Sequence, residues 1–146
     1  MFGTPYDVKK VLVTPPGAIL DNTSLTTAEI DTLGYSWLEF EVILGATDIA
    51  LTAYKLTTSD TAGSGHADLS GAVGGTDFTL PTATSDNKVH TIWVNLLGKK
   101  RYFDSVITVG DGAAGGYFTA IARLHKGGQQ PVSATAASGL GRVVVP

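Results

Sequence analysis

An alternation of period two runs through Trp37-Leu38-Glu39-Phe40-Glu41-Val42-Ile43-Leu44. Because successive side chains of a β-strand point to opposite faces, one face carries Leu38, Phe40, Val42 and Leu44. Glu39 and Glu41 lie on the other face. The alternation therefore predicts a strand with one buried and one polar side, as in an antiparallel sheet that packs on one face.

The same alternation recurs further along the chain, most clearly in Val89 to Leu97, Arg101 to Val109 and Tyr117 to Leu124. Shorter candidate strands are Val8 to Thr14, Ala18 to Asn22, Ala28 to Thr32, Ile49 to Thr57, Asp77 to Leu80 and Arg142 to Val145. Clusters of Gly, Pro, Asp and Asn between these runs are typical of turns. Strands joined by turns predict an all-β fold, either an antiparallel β-sandwich or a jelly-roll-like barrel.

Helix signals are weak, because eighteen glycines in 146 residues disfavour long helices. The best candidate for a single helical turn is the stretch from Thr26 to Leu33. We find no linker, domain boundary or fixed repeat, so we predict one domain over residues 1–146, with short extended arms at 1–6 and 143–146.

A set of ten apolar side chains is predicted to pack between two sheets. They are Leu38, Phe40, Val42, Ile92, Val94, Leu96, Phe103, Ile107, Phe118 and Leu124. Each lies on the apolar side of an alternating run, opposite polar residues such as Asp104.

Composition limits the classes of function. The chain has no cysteine, which excludes disulfides and thiolate metal sites. Its start lacks the basic and apolar regions of a secretory signal, and no stretch is long and apolar enough for a membrane span. We therefore expect a protein made in the cytosol, with no membrane partner.

Charge is distributed unevenly along the chain. The net charge of −3 argues against a dedicated nucleic-acid binder. Residues 1–87 contain eleven acids and three bases, whereas residues 88–146 contain two acids and seven bases. Folding can intersperse the two segments, which is the interpretation we favour, or the asymmetry can serve contact between neighbouring subunits.

Catalytic and metal-binding motifs are not evident. His66, His90 and His125 are far apart in sequence, and no nucleophile elbow or phosphate-binding loop is present. Ser64 and His66 share a glycine-rich loop, for which we favour a solvated loop. We therefore predict that the protein is not an enzyme and needs no cofactor.

Two groups of acids have alternative interpretations. Glu39 and Glu41 have the spacing of a paired-carboxylate site, but alternating acids are also typical of a solvated sheet face, which we favour. Asp60, Asp68 and Asp77 could ligate calcium, but they lack the spacing of an EF-hand loop.

Three segments are candidates for contacts with a subunit or another protein. The amino-terminal segment offers Phe2, Pro5 and Tyr6. The carboxy-terminal run Val143-Val144-Val145 has the β-propensity of a strand that adds to a sheet edge. The densest basic run, Lys99-Lys100-Arg101, is either a solvated hairpin tip or a contact for an acidic surface.

Several motifs resemble those of small virion proteins of tailed bacteriophages. The motifs are Ile30-Asp31-Thr32-Leu33-Gly34-Tyr35, Leu44-Gly45-Ala46-Thr47-Asp48-Ile49-Ala50-Leu51-Thr52-Ala53 and Gly98-Lys99-Lys100-Arg101-Tyr102. The resemblance covers about residues 28–125 and consists of turn and strand patterns. It implies a capsid decoration (cement) protein at the virion surface, a β-sandwich that forms a homo-oligomer, often a trimer, and binds the major capsid protein.

Two other functions remain open. One is a β-module associated with the tail, neck or fibre. The other is a carbohydrate-binding module in which exposed aromatic rings stack on sugars. The candidate rings are Trp37, Trp93, Tyr54 and Tyr117.

Overall fold

The computed structural model describes residues 8–17, 19–47, 49–110, 113 and 115–128. This part of the chain contains strands and no helix. The strands are β1 (Val8–Thr14), β2 (Thr23–Thr26), β3 (Ile30–Asp31), β4 (Trp37–Thr47), β5 (Ala53–Ser59), β6 (Ala67–Val73), β7 (Val89–Asn95), β8 (Tyr102–Val109) and β9 (Gly116–His125).

The strands form two sheets whose named strands all pair antiparallel. The first sheet has the order β1-β9-β4-β7, and the second has the order β2-β8-β5-β6. Strand β3 also pairs with β8, beyond the end of β2. The fold is therefore the predicted all-β single domain, and two separate sheets make it a sandwich instead of a barrel.

The core lies between the two sheets. Strand β4 is central in the first sheet, and its inward residues Leu38, Phe40 and Val42 are fully buried. They meet Phe103 and Ile107 of β8, which are also fully buried, within one hydrophobic cluster. All ten predicted core residues belong to this cluster or pack against it, which confirms the face assignment.

Several weaker predictions about elements are wrong. The candidate strand Ala18 to Asn22 contributes a single bridge at Leu20, and Asp77 to Leu80 contributes a single bridge at Phe78. Thr26 to Leu33 forms no helical turn, because β2 and β3 pair in succession with β8 there. Thr27 joins these two strands by exchanging hydrogen bonds with Ser105. The candidate strand Arg142 to Val145 lies outside the described residues.

The loops gather at two ends of the sandwich. Loops 32–36, 60–66, 96–101 and 126–128 lie at one end, which we call the basic end. Loops 15–22, 49–52, 74–88 and 110–115, apart from positions not described, lie at the opposite end. The first sheet exposes its outer face between these ends, and the second sheet does so on the other side.

Candidate binding surfaces

The outer face of the first sheet carries rows of side chains that cross the strands. One row runs from Lys10 through Arg123 and Glu39 to Trp93, since these residues pair across β1, β9, β4 and β7. Side chains directly opposite each other in such a row are close enough to interact. The face therefore brings acids, bases and an indole together.

An ion-pair network occupies the middle of this face. Glu39 lies 3.3 Å from Arg123 and 2.8 Å from Nε2 of His125, and Glu41 also pairs with Arg123. The two glutamate side chains are only 13% and 15% exposed. The interpretation of Glu39 and Glu41 as solvated acids is therefore wrong, because packing against Arg123 and His125 covers them.

Three of the four predicted aromatic platforms lie on this same face. Trp93 is 55% exposed, and its ring stacks on His125 with centroids 5.2 Å apart. Tyr117 is 47% exposed, and Trp37 is partly buried. Tyr54 is wrong as a platform, because its ring is buried in the core.

A groove of about 410 Å³ lies beside Tyr117. Its walls include Ile43, Gly45 and Asn87. Gly45 lies close to Tyr117, because a Cβ at position 45 would lie 3.0 Å from Cβ of Tyr117. A larger side chain at position 45 would therefore require Tyr117 to shift.

At the basic end, hydrogen bonds join three loops into one surface. Leu96 N donates to Ser36 O at 3.0 Å, and Gly128 N donates to Gly34 O at 2.7 Å. Thr32 N donates to the carbonyl of Arg101. Loop 96–101 is therefore a crossover between the two sheets and not the hairpin tip that we considered.

The side chains on this surface are basic and apolar. Lys99, Lys100 and Lys126 are exposed, and none of the three makes an ion pair with another described residue. Leu97 is 87% exposed and Leu33 is 65% exposed. This combination of cations with exposed leucines is suited to contact with an acidic, partly apolar surface.

Arg101 has a different role from its lysine neighbours. Its guanidinium makes a bidentate pair with Asp31, at 2.8 and 2.7 Å. This pair lowers the pKa of Asp31 to about 2. Arg101 also lies over the Tyr102 ring, 4.9 Å from the centroid. We therefore assign Arg101 to holding loop 32–36 against β8.

The two ends of the sandwich differ in charge. The described loops of the opposite end carry Asp21, Asp77 and Asp86 against one base, Lys88. The loops of the basic end carry four bases against Asp60. Within the sheets, folding does intersperse the charges of the two segments, because Asp31 pairs with Arg101 and both Glu39 and Glu41 pair with Arg123. The charges of the described loops are instead separated along the strand direction.

A polar cluster on the outer face of the second sheet was not predicted. Nε2 of His66 lies 2.9 Å from Glu29, and Nδ1 lies 3.4 Å from Asp104, which also accepts a hydrogen bond from Thr57. Glu29 further accepts the amide of Gly63 at 2.8 Å. We call Glu29, Thr57, His66 and Asp104 the His66 cluster.

The His66 cluster corrects one prediction. His66 is not on a solvated loop, because its side chain is 16% exposed between two carboxylates. Asp104 lies opposite the core side chains of β8, as predicted, but it is only 8% exposed. The amide of Gly63 and then His66 lower the pKa of Glu29, so this carboxylate stays ionised in mildly acidic solution.

The other candidate residues are dispersed. The three histidines lie in separate places, His66 and His125 on opposite outer faces and His90 on the inner side of β7. Within the described ranges, no group of His, Cys, Asp and Glu is arranged to hold a metal ion. The same part of the chain has no helix long and apolar enough to cross a membrane.

The candidate calcium acids have other partners. Asp68 pairs with Lys55 at 2.6 Å, and Asp77 accepts the amides of Gly71 and Val73. Of the candidate contact segments, Phe2, Pro5, Tyr6 and Val143-Val144-Val145 lie outside the described residues. Lys99-Lys100-Arg101 is the predicted segment that the structure describes.

Comparison with known proteins assigns the chain to no family. No protein-family model matches the chain, and no curated protein matches its sequence.

Proposed function

We propose that the protein is a structural virion protein, a capsid decoration protein that binds the outer surface of a tailed-phage head through its basic end. Its partner is the major capsid protein, and on the capsid surface the chain forms a homo-oligomer, with a trimer as the expected form. The protein acts by binding and not by catalysis, and it needs no cofactor.

The observation that carries this proposal is the composition of the basic end. Lys99, Lys100 and Lys126 share this end of the sandwich with two exposed leucines, Leu33 and Leu97, on hydrogen-bonded loops. Fixed loops lose little conformational entropy on binding, and exposed leucines gain by burial. Lysines that have no ion pair among the described residues attract an acidic surface and fix the orientation of the contact.

The architecture supports the same proposal. Val8 and Gly128, the outermost described residues, both lie at the basic end, because Val8 pairs with His125 and Gly128 bonds to Gly34. The chain therefore enters and leaves the described part of the sandwich at the basic end. A β-module of the tail or neck has similar requirements, so particle binding is the test that separates the two functions.

Charge reversal at the basic end tests the proposal. We expect K99E/K100E to bind about tenfold more weakly than the parent to purified capsids of a tailed-phage major capsid protein. The affinity of the parent should also fall as salt is raised, because exposed charges are screened.

The matched control compares two single charge reversals, one at each end of the sandwich. K88E changes an exposed lysine at the opposite end, and we expect it to retain parental binding, whereas K100E weakens it. Melting temperatures of all variants should stay close to the parent, since these side chains are exposed. Equal binding of K100E and K88E would contradict docking through the basic end, and no binding of the parent would contradict the decoration function.

A further inference from the structure

The exposed indole of Trp93 stands on a face distinct from the basic end. It projects from β7, an edge strand of the first sheet, and is 55% exposed while it stacks on His125. An indole buries more apolar area than most side chains when it finds a partner. About half of the surface of Trp93 therefore remains accessible to a ligand.

Hydrogen-bonding groups surround the indole. Thr91 and Asn95 flank Trp93 on the same side of β7 and are exposed. Glu39 and Arg123 follow it across the sheet in one row. The Arg123 side chain is 28% exposed and a guanidinium has five donors, so Arg123 retains hydrogen-bonding capacity beyond its pairs with Glu39 and Glu41.

The charges on this face select against several classes of ligand. Glu39 and Glu41 lie beside Arg123 and His125, so the network carries acids and bases together and offers no field that attracts a polyanion. An apolar protein surface would have to desolvate this network, which is costly. A neutral ligand with hydroxyl groups can instead bond to it.

The shape of the face favours an extended ligand. Trp93 pairs with Glu39, whereas Tyr117 lies across from Gly45, so the two rings are six residues apart, roughly 20 Å, along the strand direction. They are also two strands apart, roughly 10 Å, across the sheet. The groove beside Tyr117 lies at the far end of this path.

We propose that the outer face of the first sheet binds a neutral oligosaccharide, with Trp93 and Tyr117 as its two stacking platforms. A pyranose ring has a flat face of C–H groups that stacks on an indole and a rim of hydroxyls that bonds to carboxylate, amide and guanidinium groups. The spacing of the platforms requires a chain of several sugars. This function is additional to capsid attachment and uses a different surface.

The test uses four neutral hexasaccharides as probes: cellohexaose, mannohexaose, maltohexaose and N-acetylchitohexaose. Tryptophan fluorescence and calorimetry should detect binding of at least one to the full chain. We expect W93A to weaken that binding about tenfold or more, the loss of an aromatic hot spot. Y117A should weaken binding of the hexasaccharide more than binding of the corresponding disaccharide.

The matched control is L97A, which removes a more exposed apolar side chain at the basic end and should leave sugar affinity unchanged. Binding of no probe at millimolar concentration overturns the proposal, and so does equal affinity of W93A and the parent. If W93A instead changes the molar mass in light scattering, the face is an interface between copies, which also overturns it. Capsid binding by W93A is measured separately, so each function can fail alone.

Discussion

His90 occupies an inward position of β7 where its neighbours are aromatic rings. It pairs across the sheet with Val42, and its ring lies 5.2 Å from Tyr54 and 5.1 Å from Phe78. Among the described residues, neither Nδ1 of His90 nor the hydroxyl of Tyr54 has a hydrogen-bond partner. Burial lowers the pKa of His90 and raises the pKa of Tyr54, so both groups stay neutral in the fold near pH 7.

The lowered pKa of His90 predicts loss of stability in acid. Well above the ordinary pKa of 6.5 the side chain is neutral in both the folded and the unfolded chain, so it contributes no pH dependence there. As the pH falls below 6.5, the unfolded chain binds a proton before the folded one, and the free energy of unfolding decreases. We expect urea denaturation of H90F to show a weaker decrease between pH 7 and pH 5 than the parent.

His125 provides the control for this titration. It lies on the outer face beside Glu39 and is not enclosed by the aromatic rings that surround His90. H125F should therefore not reproduce the reduced acid sensitivity of H90F. If H90F and the parent lose stability equally between pH 7 and pH 5, the desolvation of His90 does not determine the acid response.

Single residues also show where sequence patterns are sufficient. Phe40 and Phe103 were assigned correctly to the core, because strict alternation determines the face of a strand. Tyr54 was assigned to the surface because its sequence pattern gives no indication that Phe78 and His90 pack against it. Alternation places Asp104 on the outer face of β8, but it does not reveal the loop that folds over that face.

Loop 60–66, which joins β5 to β6, is the element that covers Asp104. It contains Gly63 and Gly65, both at positive φ, which allow the tight path back over the sheet. The amide of Gly63 and the ring of His66 both bond to Glu29, which lies between β2 and β3. Glu29 therefore attaches the loop to the segment between β2 and β3, in addition to the contact of His66 with Asp104 of β8.

Removing the imidazole should loosen this loop without unfolding the sandwich. We expect H66A to raise the amide hydrogen-exchange rate of Gly63 by about tenfold. Without the contacts of His66, opening of the loop costs less free energy and is therefore more frequent. The amides of β4 should keep their protection, since β4 belongs to the first sheet.

A comparable truncation elsewhere controls for general destabilisation. H125A removes a histidine that bonds to a carboxylate on the outer face of the first sheet, and it should leave exchange at Gly63 unchanged. Equal exchange at Gly63 in H66A and the parent would contradict the role of His66 in holding the loop.

Strands β2 and β6 are not predicted from the sequence, and each has a physical reason. Strand β2 is polar and exposed and has four residues, so it shows little apolar alternation. Strand β6 has a register shift against β5, with Gly71 at positive φ, and the shift disrupts its period of two. Strands such as β4, which pair on both sides over most of their length, show the apolar–polar alternation clearly.

At the scale of the molecule, loop charges are separated between two ends. The sequence shows acids early and bases late, but which loops share an end depends on the topology of the sheets. The crossover from β7 to β8 brings Lys99 and Lys100 beside Lys126, which follows β9. The basic end is therefore a product of tertiary structure, although the sequence identified its lysine-rich segment.

At the scale of the whole molecule, deletion of the arms tests capsid attachment separately from folding. The buried apolar side chains of the described chain lie between Val13 and Leu124, and β1 begins at Val8. Residues 1–6 and 143–146 are short segments outside these buried positions, and Pro5 has no backbone N–H to donate to a strand. We therefore expect either deletion to leave the melting temperature within about 2 °C of the parent.

Capsid binding by the same deletion variants completes this prediction. The arms contain apolar residues such as Phe2 and Val144, which can add buried area to a contact made beside the basic lysines. Binding of either deletion to purified capsids should therefore weaken by about tenfold, measured by co-sedimentation, while the free domain stays folded. A deletion that unfolds the free domain, but leaves binding of the surviving protein intact, would show instead that the arms belong to the sheets. Capsid attachment would then depend on the basic end alone.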